Sequence, residues 1–153
     1  MEIRKATSKD AEKLREFFKH YKNEEIINSR IECYLEHNFT IIAEENQDIA
    51  GAVQWYVKEN PNAGVAELEE MFVTENYRKK GIASELLNYL IEDVKKFFSS
   101  RNIEPRKLYL FVSKDNQSAR KLYEKHGFKM IAEVNDIFTD NQNEVFYCLD
   151  LQS

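Results

Sequence analysis

The sequence predicts an α/β protein of the mixed α+β kind, with a central mixed β-sheet flanked by helices. Three observations support this prediction. Strand-like runs occur near both ends of the chain, a long amphipathic helix lies in its middle, and strands alternate with helices from Val65 onward. The chain of 153 residues has the length of one ordinary domain, so we expect a single domain over residues 1–153.

The first half of the chain predicts two helices and a hairpin. Thr7 and Asp10 have the spacing of a capping box, which marks a helix start. A polar turn between two strand-like runs predicts the hairpin. The predicted elements are a strand over Glu2–Ala6, a helix from Thr7 to about Tyr21, a helix over about 24–36, and strands over 39–44 and 49–57.

The second half predicts strands that alternate with helices. The helix that begins near Ile82 has its apolar residues three and four positions apart along one face. Gly127 stands where a glycine commonly ends a helix. The predicted elements are a strand over 65–74, a helix over about 82–97, a strand over 107–112, a helix over about 116–126, and two last strands that end near Leu151.

Composition excludes several classes of protein. The formal net charge of −5 argues against a nucleic-acid partner, since such proteins usually carry an excess of basic residues. Cys33 and Cys148 are too few for a disulfide framework, and the three histidines lack the spacing of metal ligands, so we expect free thiols and no metal. Without a secretion signal or an 18-residue apolar run, we expect a cytoplasmic protein with no membrane partner.

The stretch Tyr77–Ser84 predicts an anion site. It lies between the strand over 65–74 and the long helix, and it contains three consecutive cations, Arg78–Lys80, followed by Gly81. The first N–H groups of a helix lack partners inside it, and the helix dipole adds about half a positive charge there. A pyrophosphate bound to these backbone groups would offset the repulsion among the cations. The alternative is an ordinary helix start with solvated lysines.

Several motifs resemble those of the GCN5-related N-acetyltransferase (GNAT) superfamily. Arg78-x-x-Gly81-x-Ala83 is similar to its acyl-CoA-binding motif Q/R-x-x-G-x-G/A, although Lys80 stands where glycine is common. The other motifs are Leu68–Val73, similar to the family's central acidic strand, residues 116–123, similar to its N-x-x-A-x-x-x-Y helix, and Gly127-Phe128, where the family usually has GF. The order of elements matches from Met1 to about Leu151.

The resemblance implies central parallel strands that splay apart and acetyl-CoA as the co-substrate. It implies that the backbone of the central strand pairs with the pantetheine and that the turn binds the pyrophosphate. Asn116 is implied to contact the pantetheine amides, but it also fits a helix N-cap. The implied cofactor-binding residues are Met71, Phe72, Val73, Arg78, Lys79, Lys80, Gly81, Ile82, Ala83, Ser84, Asn116 and Tyr123.

Candidate catalytic residues are Glu69, Glu70 and Tyr123. Two adjacent acids interrupt an apolar strand, and a β-bulge there would direct one of them differently. An acceptor amine with a pKa of about 10.4 must lose a proton before it attacks, and a carboxylate can accept that proton. Glu69 and Glu70 remain alternatives for this role, and solvated strand residues are the alternative to both. The resemblance implies that Tyr123 assists the leaving thiolate of CoA; a buried helix tyrosine is the alternative.

We therefore predict an N-acetyltransferase that transfers an acetyl group from acetyl-CoA directly to a primary amine of a small molecule or peptide. The alternatives are a non-catalytic acyl-CoA-binding or regulatory domain and a purely structural domain. The resemblance implies that the acceptor is selected by the early helices and late loops, which include Tyr21, Tyr34, Trp55 and the segment 136–143. A homodimer is possible, through a C-terminal strand such as 143–151.

Overall fold

The computed structural model describes residues 1–37 and 39–152. Within them, seven strands form a mixed sheet in the order β1-β2-β3-β4-β5-β7-β6, which confirms the predicted fold class. The strands are β1 (Glu2–Lys5), β2 (Phe39–Glu45), β3 (Asp48–Val57), β4 (Val65–Val73), β5 (Lys107–Ser113), β6 (Lys129–Asn135) and β7 (Asn143–Asp150). The helices are α1 (Ala11–Phe18), α2 (Glu24–Glu32), α3 (Ile82–Ser99) and α4 (Gln117–Lys125).

The chain forms two compact units. The first contains residues 1–56 and 70–90, and the second contains residues 57–69 and 91–152. β4 and α3 each contribute residues to both units. The single domain over residues 1–153 therefore stays a prediction.

In the first unit, β2 pairs antiparallel with β1 and with β3. The predicted hairpin between β2 and β3 is confirmed, and Asn46 and Gln47 at its tip both have left-handed backbones, with φ of 53° and 68°. Two consecutive left-handed residues match the twist of the flanking strands. The buried core of this unit includes Leu14, Phe18, Ile27, Tyr34, Ile42, Ile49 and Ala52.

The two early helices are shorter than predicted. The first is divided into a 3₁₀ turn at Ser8–Asp10, α1, and a second 3₁₀ turn at Lys19–Tyr21, after which Lys22 has a left-handed φ of 54°. The second ends at Glu32 and continues as a π-helical turn over Cys33–His37. Apolar spacing does not distinguish α-helical from π-helical winding, so the sequence predicted one helix across both.

In the second unit, β5 and β7 are antiparallel neighbours, and β6 pairs with the other edge of β7. The parallel ladder between β4 and β5 joins residues 65–67 with 107–109, and each strand continues beyond it, as the predicted splay requires. α4 ends as predicted at Gly127, whose φ is 89°. Buried residues of this unit include Leu108, Leu110, Val112, Tyr123, Phe128, Val145 and Tyr147.

The homodimer through the strand over 143–151 stays a prediction, and it could not use the backbone edges of β7. β7 lies between β5 and β6, so both of its edges are already hydrogen-bonded. β6 is the terminal strand of the sheet instead. Among helices of the described residues, none has both the length and the apolar character that crossing a bilayer requires.

Candidate active site

The turn before α3 is open to solvent and has an unusual backbone. Lys79 and Gly81 both have left-handed conformations, with φ of 62° and 81°. A Cβ atom added to Gly81 would meet no protein atom within 4 Å. α3 begins at the next residue, so the N–H groups of residues 82–84 belong to the first turn of a helix of 18 residues. This combination of open space and N–H donors fits a pyrophosphate.

Two of the three cations in the turn contact nearby groups. Arg78 Nε donates to the carbonyl oxygen of Val73 at 3.1 Å, which ties the turn to the end of β4. The Lys80 ammonium lies 5.1 Å from the centre of the Tyr77 ring, within the range of a cation–π interaction. The side chains of Arg78, Lys79 and Lys80 are all exposed. The cationic surface predicted from the sequence is therefore present beside the first turn of α3.

The end of β4 is half-buried. Met71, Phe72 and Val73 each keep part of their surface exposed. The Phe72 ring packs against Phe17 of α1, with 4.3 Å between ring centres, and joins the edge of the first unit's core. The side chain of Phe72 thus serves in packing, as the sequence had suggested for the three residues. The predicted contact of Met71–Val73 with pantetheine concerns only their backbone.

Glu70 is held by two residues of the second helical region. Its Oε2 accepts hydrogen bonds from Arg30 Nη2 and from the Tyr34 hydroxyl, each at 2.5 Å. Arg30 lies in α2 and Tyr34 in the π-helical turn that follows. Bonds to a guanidinium and a phenol restrict the carboxylate to one orientation. Neither partner was predicted from the sequence, because 40 and 36 residues separate them from Glu70.

Glu69 differs from Glu70 in exposure, since its side chain is exposed whereas Glu70 is half-buried. Two backbone hydrogen bonds enclose this part of β3 and β4. They run from Lys58 N–H to Val65 O (3.4 Å) and from Thr74 N–H to Ala50 O (2.9 Å). Between them β3 advances by eight residues and the β4 side by nine, so the β4 side contains one extra residue. One extra residue is a β-bulge, and it interrupts the regular alternation of side chains between the two faces somewhere between Val65 and Thr74.

Gln54 is a candidate residue that sequence reasoning missed. Its side chain is fully buried in β3, and its amide nitrogen and oxygen have no hydrogen-bond partner in the described part of the chain. Each unsatisfied buried polar group costs about 1–3 kcal/mol, so this amide needs a water or ligand partner. One polar residue within the apolar run of residues 49–57 was the available signal.

In the second unit, Glu67 and four aromatic rings form a patch on the sheet. The Tyr109 hydroxyl donates to Glu67 Oε2 at 2.9 Å, and the Lys58 ammonium lies 3.4 Å from the same oxygen. The rings of Phe111 and Phe146 stack with 5.2 Å between centres. Phe138, in the loop between β6 and β7, meets Phe111 edge-on at 5.9 Å and is 67% exposed. The patch therefore combines exposed aromatic surface with a carboxylate.

Tyr123 is a buried member of α4. It is 5% exposed, and its ring lies 5.6 Å from Phe128 and 6.4 Å from Tyr147, measured between ring centres. Burial raises the pKa of its hydroxyl to about 12. Asn116 caps the same helix, because its Oδ1 accepts the N–H of Ala119 at 3.2 Å. That bond uses the side-chain oxygen of Asn116. The predicted contact with pantetheine would therefore be made by the side-chain amide nitrogen.

The predicted site residues fall in both units. Glu70, Met71–Val73 and the turn residues 78–84 belong to the first, and Glu69, Asn116 and Tyr123 to the second. Within the first unit, the Arg78–Val73 bond joins the turn to the end of β4. Glu32, Glu36 and His37 also bring potential metal-binding atoms within 4.8 Å of one another, but all three are exposed surface residues. The expectation of no metal stays a prediction.

A comparison with known families decides the classification. The acetyltransferase (GNAT) family model matches residues 4–128. The chain belongs to this family. Membership assigns it to the acyltransferases and confirms the resemblance inferred from the motifs at Arg78–Ala83 and Asn116–Tyr123.

Solved GNAT structures share the fold. An N-acetyltransferase from Staphylococcus aureus Mu50 has a TM-score of 0.79 at 22% identity, with 98% of each chain covered. The ribosomal-protein-S18-alanine N-acetyltransferase from Escherichia coli has a TM-score of 0.76 at 18% identity, covering 98% of this chain and 93% of that one. At these identities the likeness establishes the fold alone.

One curated relative is spermine/spermidine N(1)-acetyltransferase from Bacillus subtilis (strain 168). It is 29% identical over 80 residues, which are 52% of this chain and 49% of the relative. The match therefore spans about half the length of each protein.

Proposed function

We propose that this GNAT protein is an acetyl-CoA-dependent N-acetyltransferase that acts on a primary amine of a small molecule or peptide. The observation that carries this proposal is the exposed turn at Lys79–Gly81, where two left-handed residues precede the first turn of α3. This geometry supports binding of the CoA pyrophosphate through backbone N–H groups. The side chains of Arg78 and Lys80 add positive charge beside it.

The transfer is direct within a ternary complex. The amine nitrogen attacks the acetyl carbonyl carbon, an N–C bond forms, and the C–S bond to CoA breaks. The attacking nitrogen loses one proton, and the departing thiolate gains one. Met71–Val73 supply backbone N–H groups, and one of them aimed at the carbonyl oxygen would stabilise the developing negative charge. Holding both substrates in one orientation supplies much of the rate.

Glu70 is the proposed proton acceptor. Deprotonating an amine with a pKa of about 10.4 at pH 7 costs about 4–5 kcal/mol. The bonds from Arg30 and Tyr34 end on Oε2 of Glu70 and fix its orientation, which supports a role for Oε1 toward the amine, directly or through a water. Glu69 has an exposed side chain, whereas Glu70 is half-buried.

A cationic acceptor with an apolar part fits the polar and aromatic residues available. Phe111, Phe138 and Phe146 offer aromatic faces, which attract ammonium groups. Glu67, which pairs with Lys58, adds a carboxylate to the same patch. The name of the B. subtilis relative adds support for a polyamine such as spermidine. The proposed acceptor class is therefore a di- or polyamine, with peptide amines as the second class to be tested.

The deciding experiment measures release of free CoA thiol from acetyl-CoA in the presence of spermidine, spermine, single amino acids and short peptides. Spermidine-dependent thiol release with formation of the acetylated amine by mass spectrometry would support the proposal. Binding of acetyl-CoA in calorimetry without thiol release under any amine would favour the non-catalytic acyl-CoA-binding alternative. No binding at millimolar acetyl-CoA would contradict both.

Substitution of each adjacent acid tests the proton acceptor. We expect Glu70→Gln to lower kcat/KM for the amine about 100-fold, because an amide cannot accept the proton, whereas Glu69→Gln should change it less than about three-fold. The loss in Glu70→Gln should shrink as the pH approaches 10, where more of the amine is already neutral. Equal losses in the two variants, or a loss confined to Glu69→Gln, would remove Glu70 from this role.

A further inference from the structure

We propose that a pocket in the second unit binds a small organic anion, a phosphate or carboxylate with an apolar body. The pocket has a volume of about 570 Å³, and it lies among the C-terminal half of α3, the end of α4 and the adjoining ends of β5, β6 and β7. Sites for small molecules usually measure about 300–1,000 Å³. None of its lining residues belongs to the predicted acetyl-CoA site.

The charges that line the pocket are mainly positive. Lys95, Lys107 and Lys129 contribute three ammonium groups, and Asp150 contributes one carboxylate. This excess occurs in a chain with a formal net charge of −5. Lysines gathered around one cavity repel each other, and a bound anion relieves that repulsion.

The ion pairs present leave much of this positive charge uncompensated. Lys107 and Asp150 form a pair at 3.0 Å, which neutralises one ammonium group. Lys95 lies 3.3 Å from Glu92 one turn earlier on α3, but Glu92 is 74% exposed, and such surface pairs contribute little. Lys129, at the start of β6, is exposed beside the pocket. Lys95 and Lys129 are therefore the main candidates to bind the anionic group.

His126 contributes an imidazole ring to the pocket. Its Nδ1 lies 2.9 Å from the carbonyl oxygen of Leu122. Since a carbonyl oxygen only accepts hydrogen bonds, Nδ1 carries a hydrogen in this contact. The imidazole therefore adds a polar group to the pocket wall.

The remaining wall is apolar, which selects an anion that has an organic body. Ile91, Ile131, Leu149 and Leu151 line this part of the pocket. Gly127 lies among them, and a Cβ atom at its position would stand 3.3 Å from Leu149 Cδ1, so glycine keeps this side wide. An inorganic ion would meet only the lysines, whereas a ligand with an apolar body would also bury surface against these side chains.

The test titrates the full chain with phenyl phosphate, benzoate, phenol and inorganic phosphate. Saturating CoA is present throughout, so that the predicted pyrophosphate site is occupied. We expect phenyl phosphate or benzoate to bind at least about five-fold more tightly than inorganic phosphate and phenol, because only they use both parts of the pocket. Whichever of phenyl phosphate and benzoate binds more tightly shows whether the pocket prefers a phosphate or a carboxylate. Amide NMR shifts should be concentrated in residues 126–131 and 148–151.

Variants of neighbouring lysines provide the control. Lys95→Gln and Lys129→Gln should each weaken binding several-fold, and Lys96→Gln, which removes the next charge on α3 but lies outside the pocket, should leave it unchanged. Folding of each variant is checked by its thermal unfolding. Equal binding by inorganic phosphate, equal effects of Lys95→Gln and Lys96→Gln, or the absence of shifts in the two segments would each overturn the proposal.

Discussion

Burial raises the pKa of Tyr123 to about 12, and this value limits what the residue can do in catalysis. Complete proton transfer from a phenol of that pKa to a thiolate of pKa about 8.5 is uphill by about 5 kcal/mol. A hydrogen bond from the neutral hydroxyl stabilises the thiolate without that cost. Tyr123 is therefore proposed to act as a neutral donor, and the thiolate takes its proton from solvent.

Tyr123→Phe tests this role. We expect kcat to fall about 10- to 100-fold and the Kd of acetyl-CoA to stay within about two-fold, since only the hydroxyl is removed. Because a pKa of about 12 keeps Tyr123 protonated at every lower pH, the pH profiles of the wild type and the variant should have the same shape below about pH 10. The exposed Tyr89→Phe serves as the control. Unchanged kcat in Tyr123→Phe would exclude Tyr123 from the mechanism.

Asp10 provides a pH-dependent contribution to stability. The side chain of Asp10 is buried and accepts two hydrogen bonds from the Arg4 guanidinium, each at 2.9 Å. These bonds, aided by the N–H of Thr7, lower the pKa of Asp10 from 3.8 to about 2. A lowered pKa in the folded state means that the contribution is complete above about pH 4 and is lost as the pH falls toward 2.

Asp10→Asn should therefore reduce the free energy of unfolding by about 2 kcal/mol at pH 6 and by much less near pH 2. Urea unfolding at several pH values measures this difference. The exposed Asp140→Asn should show no such pH-dependent loss. A loss in Asp10→Asn that is the same at pH 6 and pH 2 would show that packing, rather than the charge, is responsible.

Sequence reasoning named the acidic residues of β4 but could not separate their roles. The sequence pattern does not distinguish Glu69 from Glu70, because both are acids in the same strand. What distinguishes Glu70 is its hydrogen bonds from Arg30 and Tyr34, which lie far away in the chain. Long-range pairs of this kind have no local pattern. Tyr123 was found by its spacing from Asn116, whereas the pKa of its hydroxyl depends on the burial that the fold imposes.

The turn before α3 is the element on which the proposed use of acetyl-CoA depends. Gly81 in this turn has a left-handed backbone, and so has Gly127, which ends α4 with φ of 89°. Alanine at either position pays the same backbone strain, about 1 kcal/mol. Gly81→Ala also places a methyl group in the open space beside the proposed pyrophosphate site.

We expect Gly127→Ala to lose at least as much stability as Gly81→Ala, because its added methyl group also stands 3.3 Å from Leu149 Cδ1, whereas only Gly81→Ala should raise the Kd of acetyl-CoA, by about ten-fold. Thermal unfolding and calorimetry measure the two quantities. An equal rise of Kd in both variants would indicate a general effect of destabilisation. No change in Gly81→Ala would remove the turn from acetyl-CoA binding.

Elements with strong local patterns were predicted well, and irregular ones were not. The apolar face of α3, the hairpin of β2 and β3, and the glycine end of α4 all follow from short-range patterns, and the structure confirms them. The π-helical turn over Cys33–His37 was missed because it depends on tertiary contacts, among them that of Tyr34 with Glu70. The turn that places Tyr34 beside Glu70 is thus the irregular element nearest to the proposed chemistry.

At the scale of the whole molecule, the distribution of charge has opposite consequences for the two proposed substrates. The formal net charge of −5 repels anionic CoA at long range, and the local cations Arg78–Lys80 and the N-terminus of α3 offset that repulsion only near the turn. A polyamine is attracted by the same net charge. The acceptor should therefore be drawn to the protein from a distance, whereas CoA should depend on contacts at close range.

Salt should consequently slow the reaction with polyamines. Raising the salt from about 10 mM to about 100 mM shortens the screening length from about 30 Å to about 10 Å, which removes most long-range attraction. We expect kcat/KM for spermidine to fall several-fold over this range at saturating acetyl-CoA. The value for a monoamine acceptor should fall less, because it carries a single charge. The comparison is made at constant pH with thiol release as the measurement. A kcat/KM for spermidine that does not change with salt would show that only groups at short range recognise the acceptor.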